Sequence, residues 1–237
     1  MPTPTLVLLP GMDGTGELFA PFLDAAEGQF KVQVVRYPTH LALGYAELLG
    51  LVRSALPVDE PYVILGESFS GPIAIWLAAE HHHHLKGVVL CSTFARNPRP
   101  ALARIRHALA YVPFVWLPSI AMASLLLGTF GTAALRRALA QAVAQVSSAV
   151  LRQRLRAVLA VDVSVQLRSA QVPCLYLQAS QDRLVPESAV AYIRSVLPEV
   201  EVVKIHAPHG LLQAAPAQAV GFLSSFIVKC EHYCNAL

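Results

Sequence analysis

The sequence predicts an α/β protein: a mostly parallel sheet of about six strands, with helices on both faces and a helical insertion. Three observations carry that prediction. Short apolar runs alternate with helical patterns along most of the 237 residues, the mark of strand–helix–strand units joined by right-handed crossovers. The runs are apolar almost without a break, as strands covered on both faces are. The alternation then lapses over residues 97–169, where helical stretches follow one another with no strand between them.

Taken in order, the strand candidates are residues 5–9, 32–37, 62–65, 87–91, 174–178 and 200–205. Helical patterns cover 16–27, 45–55, 69–80, 187–197 and 213–228, and within the insertion 135–146 and 149–159. The chain divides accordingly into a core of residues 1–96 and 170–237 and a helical cap of residues 97–169. His81 to His84 fall between a helix and a strand and read as a solvated loop.

Composition excludes several classes. Hydrophobic residues make up 55% of the chain and charged residues 14%, against about 25% charged in an average soluble domain. That balance is foreign to disorder, collagen and coiled coils. A net charge of +3 gives no nucleic-acid footprint. Cys91, Cys174, Cys230 and Cys234 are too scattered for a disulfide scaffold and form no CxxC pair. Cys230 and Cys234 bracket His232 but lack a third fixed ligand, so no metal is expected. The N-terminal apolar run has no basic segment and is too short for a secretory signal, which reads as a cytoplasmic, thiol-reduced protein. Residues 108–135 carry no charge and reach membrane-spanning length. Pro113, Pro118, Gly128 and Gly131 break that stretch, so no transmembrane span is expected, while peripheral membrane contact stays open. Residues 97–169 hold nine arginines, no lysine and one acid, Asp162, which makes the cap +8 in a chain of +3.

The chemistry concentrates in Gly66-Glu67-Ser68-Phe69-Ser70-Gly71-Pro72, after one strand and before one helix. A serine on so sharp a turn takes a strained backbone conformation, and small residues two before and two after it prevent collision. Gly66 and Ser70 are those residues, and Pro72 sits where its missing N–H is harmless. The turn puts Ser68 at a helix N-terminus, where the dipole favours developing negative charge. A nucleophilic serine needs a base, and the base an orienting carboxylate, in the chain order Ser, acid, His. Asp182 follows the strand candidate 174–178, and His209 follows 200–205, so both lie in loops at strand C-terminal ends, where open α/β sheets place their sites. His206, at the strand end, and Asp162, in the return from the cap, are the runners-up. Leu9-Pro10-Gly11-Met12-Asp13-Gly14 follows the first strand and can turn backbone N–H groups inward, which assigns the oxyanion hole to the N–H groups of Met12 and Phe69. A phosphate cradle is the competing reading of those glycines, but neither GxGxxG nor GxxxxGK[ST] is present. Glu67 is left with two readings, a side chain leaving the site or one binding a polar substrate group.

These motifs resemble the α/β-hydrolase superfamily in its small, cap-bearing esterase and acyltransferase branch. The elbow around Ser68, the acid loop Gln181-Asp182-Arg183-Leu184-Val185-Pro186 and the loop Pro208-His209-Gly210 carry the resemblance, which runs over residues 5–228. It implies Ser68 as nucleophile, His209 as general base and then acid, and Asp182 as orienting acid. There are three departures. Pro10-Gly11 stands where the superfamily has His-Gly, Ser70 stands where it has glycine, and the chain begins at what resembles the third strand.

The expected activity is carboxylic ester hydrolysis by a serine esterase acting on an ester or thioester of an apolar acyl group, with no cofactor. Acyl transfer by the same triad, or a non-catalytic binding role for the fold, are the alternatives. Tyr111, Phe114, Trp116, Leu117, Ile120, Met122 and Leu125 to Leu127 suit an acyl chain and equally suit burial of the cap. The arginines fit a solvated face, or a dock for an acidic partner such as an acyl carrier protein or an anionic membrane surface. In size, layout and charge the chain also resembles the pimeloyl-carrier-protein methyl esterases, which implies a methyl ester on a carrier protein.

Overall fold

The computed structural model describes residues 4–105 and 119–234, and the side chains within 103–105, 119–120 and 231–234 lie outside the description. Six strands form one sheet: β1 (Thr5–Leu9), β2 (Val32–Val34), β3 (Tyr62–Glu67), β4 (Leu85–Cys91), β5 (Cys174–Ala179) and β6 (Glu201–Ile205). Their spatial order is β2-β1-β3-β4-β5-β6, and every neighbouring pair is parallel. The sheet is therefore wholly parallel, and its order reverses beside β1, where β3 lies against the strand that precedes it by two.

The unbroken apolar runs are explained by what covers each face. Val7, Leu9 and Ile64 point into one core, against α2 (Tyr45–Ala55), α3 (Gly71–Ala78) and α8 (Glu187–Val196). Leu6, Leu8, Val63 and Leu65 point into the other, against α1 (Ala20–Ala26) and α10 (Pro216–Cys234). With period-2 alternation feeding two dry layers, neither set can be polar. Gly87 lets α10 pack close to the sheet, since a Cβ there would meet Cys230 Sγ at 2.6 Å.

Element ends differ from the sequence reading where backbone chemistry intervenes. β2 stops at Val34, and although Val35 N still donates to Leu8 O, the chain turns away into Arg36-Tyr37-Pro38. The helix expected from residue 16 begins as a 3-10 turn, Glu17–Phe19, behind Gly16 at φ 74°. The C-terminal helix expected from residue 213 is split into α9 (Leu211–Ala214) and α10 by Pro216, which cannot continue a preceding turn.

Between β4 and β5 the described residues form α4 (Ser119–Leu127), α5 (Ala133–Ala144), α6 (Ser148–Ala160) and α7 (Ser164–Ser169), with one isolated antiparallel bridge, Arg96 to Asp162. Thr132 and Ser147 cap α5 and α6 by accepting hydrogen bonds from Leu135 N and Val150 N. Ala123 and Leu127 of α4 pack against Leu139 of α5. Tyr111, Phe114, Trp116, Leu117 and Arg106 lie outside the described residues, as do the side chains of Arg104 and Ile120. Among the described residues no helix is long and apolar enough to cross a membrane.

Candidate active site

The turn after β3 is held by two close approaches that only glycine permits. A Cβ on Gly66 would lie 2.8 Å from Ser70 O and 2.9 Å from Ala74 Cβ; one on Gly71 would lie 2.0 Å from Thr93 Oγ1. Between them Ser68 adopts φ 49°, the left-handed conformation that a side chain pays about 1–2 kcal/mol to enter. Thr93 Oγ1 donates to Ser68 O and braces the turn from β4. The result projects Ser68 above the sheet at the start of a 3-10 turn that leads into α3.

Asp182 and His209 arrive from the neighbouring strand ends, as the topology requires. Ser68 Oγ is 2.8 Å from His209 Nε2, and His209 Nδ1 is 2.8 Å from Asp182 Oδ2. The His209 and Asp182 side chains are almost wholly buried. Asp182 Oδ1 accepts from Leu184 N and Val185 N, both at 2.8 Å, which leaves Oδ2 to face the imidazole. Gly210 N donates to Leu126 O at 2.9 Å, so the residue after His209 is joined to α4. The runners-up stand apart. His206 is exposed, with its ring against Phe130 at 5.2 Å. Asp162 caps the start of α7 by accepting from Ser164 N and Oγ.

The loop after β1 is tied by its own carbonyls. Gly14 N donates to Gly11 O, closing a turn around Met12 and Asp13. The Met12 N–H lies at the opposite end of the same trans peptide plane as Gly11 O, so that bond also aims the N–H out of the turn. Tyr37 N donates to Gly14 O at 2.8 Å, and Ser70 Oγ donates to Pro10 O. Asp13 accepts from Thr15 N and Thr15 Oγ1. Phe69 is buried, stacked on Tyr45 at 4.7 Å, and its carbonyl accepts from Tyr45 OH.

Five further side chains belong to this neighbourhood. Ser70 is more than a small residue at a glycine position, since its hydroxyl joins the elbow to Pro10 O of the β1 loop and also meets Tyr37 OH, beyond β2, at 2.7 Å. Burial pushes the Tyr37 phenol well above the usual range. Glu67 does not leave the site. It is buried, Gln213 Nε2 donates to its Oε1 at 3.0 Å, and desolvation raises its pKa to about 7, with the Asp13 carboxylate adding to the rise and Gln213 and His209 opposing it. Arg154 of α6 is completely buried and donates to Met12 O, Asp13 O and Pro38 O. The arginines of residues 97–169 therefore do not share one role. Arg137, Arg156 and Arg168 are exposed, Arg99 and Arg136 are exposed but bonded to backbone carbonyls, and Arg154 is interior. A signal for Arg154 was present: Leu151, Arg154 and Val158 share one helical stripe, and the flanking residues of that stripe are apolar. Nothing local announced Tyr37 or Gln213.

Together these contacts place the Ser68 hydroxyl within hydrogen-bond distance of one His209 nitrogen, the other His209 nitrogen within hydrogen-bond distance of Asp182, and the loop after β1 bonded to the turn that carries Ser68. Among the described residues no cluster of three or more His, Cys, Asp or Glu side chains is set to hold a metal.

The sequence pattern of the family described as serine aminopeptidase, S33, matches residues 40–206 of this chain. The chain belongs to that family. Ser68 and Asp182 fall inside the matched span of this S33 hydrolase and His209 just beyond it. The phytyl ester synthase 1, chloroplastic, of Arabidopsis thaliana is 31% identical over 111 residues, 43% of this chain. The chain spans only 16% of that relative's length. Among solved structures, one described with the carboxylesterases of the thaumarchaeon Nitrososphaera gargenis superposes with a TM-score of 0.81 at 14% identity, covering 98% of this chain and 92% of that one. An esterase from Rhodococcus sp. superposes with a TM-score of 0.72 at 23% identity, over 95% and 90% of the two chains. At those identities the likeness establishes a common α/β-hydrolase fold for the S33 member described here.

Proposed function

We propose that this hydrolase cleaves carboxylic esters or thioesters of an apolar acyl group through an acyl-enzyme on Ser68. The observation that carries the reading is the unbroken chain Ser68 Oγ, His209, Asp182, with 2.8 Å at each junction. His209 Nε2 takes the Ser68 proton as Oγ forms a bond to the acyl carbon. The carbonyl electrons move onto oxygen, where the N–H groups of Met12 and Phe69 hold the charge. His209 returns the proton to the leaving alcohol or thiol as its bond to the acyl carbon breaks. A water, deprotonated by His209, then releases the acid and restores Ser68. Asp182 keeps Nδ1 protonated throughout and stabilises the imidazolium.

The acyl preference rests on the apolar side chains of α4 and on the esterase structures of like fold. The finer substrate is a methyl ester carried by an acyl carrier protein, for which the exposed Arg137, Arg156 and Arg168 offer a basic approach. A cytoplasmic setting goes with that proposal, and peripheral contact with an anionic membrane is its competitor for the same arginines. A second reading, transfer of the acyl group to an alcohol, is favoured by the ester synthase relative.

Steady-state turnover of p-nitrophenyl butyrate by the wild type and Ser68→Ala tests the proposal, with fluorophosphonate labelling beside it. A loss of about four to six orders of magnitude in Ser68→Ala supports it. Unchanged turnover overturns it. Absence of both turnover and label favours a non-catalytic binding protein. Added alcohol that raises ester product at the expense of acid selects the transferase reading, and turnover of an aminoacyl p-nitroanilide in preference to esters selects peptidase specificity.

A further inference from the structure

Among the described residues Arg154 is the largest side chain with no exposed surface, and no carboxylate there forms a hydrogen bond or ion pair with it. Its Nη1 donates at 2.8 Å to both Met12 O and Asp13 O, and its Nη2 at 2.9 Å to Pro38 O. The Asp13 carboxylate is turned away, onto Thr15 N and Thr15 Oγ1. Burying a cation whose hydrogen bonds go to carbonyls and not to a carboxylate is costly, and the fold is shaped around it. A Cβ on Gly14, whose φ is 72°, would lie 2.5 Å from Nη1. The guanidinium carbon is 5.6 Å from the Tyr37 ring centre and 6.0 Å from that of Phe69. Ser147 N donates to Thr39 O, so the first turn of α6 is pinned beside Pro38.

The two peptide planes that flank Met12 are consequently both fixed. Gly14 N holds Gly11 O on one side, and Arg154 holds Met12 O on the other. Fixing both planes leaves the Met12 N–H no rotation of its own. A donor that must meet an oxyanion gains from such preorganisation, because it then needs no reorganisation when the charge develops.

We propose that Arg154 is a positioning residue for the oxyanion site: reaching from α6 into the β1 loop, it fixes the peptide plane after Met12 and, together with the Gly14 N to Gly11 O bond, holds the Met12 N–H directed toward the charge formed on the substrate oxygen. The inference rests on the serine-hydrolase reading given above. It makes the helices between β4 and β5 part of the machinery, in addition to any substrate they cover.

The test compares wild type, Arg154→Lys and Arg154→Met. It measures kcat and KM for p-nitrophenyl butyrate and Ki for a butyl trifluoromethyl ketone, which forms a hemiketal oxyanion on a nucleophilic serine; thermal melting reports folding. The expected result is a fall in kcat of about 10- to 100-fold, KM within about twofold, and a Ki raised by the same factor as kcat falls. Arg154→Lys, which keeps one donor group near the carbonyls, is expected to lose less than Arg154→Met. A folded Arg154→Lys with wild-type kcat and Ki overturns the proposal. So does a fall in kcat with Ki unchanged, which is the signature of a disturbance elsewhere in the fold. If Arg154→Lys does not fold, the guanidinium serves the whole structure and the positioning role is overturned. A wild type that neither turns over ester nor takes a fluorophosphonate at Ser68 removes the hydrolase reading first, and this inference with it.

Discussion

Gln213 donates a hydrogen bond to Glu67 at 3.0 Å, joining the helix that follows His209 to the residue that precedes Ser68. Two loops that come together only in the fold are thereby linked behind the candidate nucleophile, through a carboxyl group that burial makes hard to ionise.

That carboxyl gives a pH dependence with a definite sign. Its pKa rises from 4.5 to about 7 on folding, with burial the main cause. The native state therefore binds more protons than the unfolded state between about pH 4.5 and 7, and stability falls as pH rises through that window. Glu67→Gln keeps an acceptor for Gln213 and removes the ionisation. It should stabilise the protein relative to wild type by up to about 3 kcal/mol at pH 8 and by little at pH 4.5, read from urea unfolding at the two values. A pH-independent difference would refute the account.

The positive φ of Ser68 stores strain that glycine does not feel. Ser68→Gly should raise the unfolding free energy by about 1 kcal/mol while abolishing turnover. A lower melting temperature in that variant would show that contacts of the serine side chain outweigh the backbone cost.

Asp182→Asn should leave the loop intact, because Oδ1 still accepts from Leu184 N and Val185 N. The new amide would face Nδ1 as a donor and drive the proton of His209 to Nε2, where it cannot accept from Ser68. Turnover is expected to fall by about 10⁴ with melting little changed; a loss below tenfold would detach Asp182 from the mechanism.

Gly71→Ala puts a methyl group 2.0 Å from Thr93 Oγ1 and 2.7 Å from Thr93 Cβ. The elbow and β4 must separate to admit it, at a cost of about 3 kcal/mol. The same substitution at Gly50, whose Cβ would meet nothing within 4 Å, should be neutral or stabilising, since it lies inside α2. Urea unfolding of the pair separates close packing from a generic effect of replacing glycine.

What could be read in advance was local. Strand runs such as 5–9 and 174–178 announce themselves because both faces of the sheet are covered, and Ser68 because its turn needs small neighbours, which Gly66 and Ser70 supply. Asp182 and His209 required only the inference that loops at strand C-termini converge. The supporting residues are of another kind. Ser70 meets Pro10 across sixty positions, and Arg154 meets Met12 across 142. Such pairs follow from the packing of whole elements, and no spacing encodes them. Strand and helix ends moved for a similar reason: backbone partners outside the segment, such as Leu8 O for Val35 N, decide where it stops.

The bond from Gly210 N to Leu126 O has a consequence for time as well as for geometry. That amide proton sits next to His209, and α4 must release it before moving away from the core. Its exchange with deuterated solvent thus acts as a counter of openings. If that opening admits substrate, the counter sets a ceiling on how often a molecule can reach Ser68, whatever the speed of the chemistry that follows.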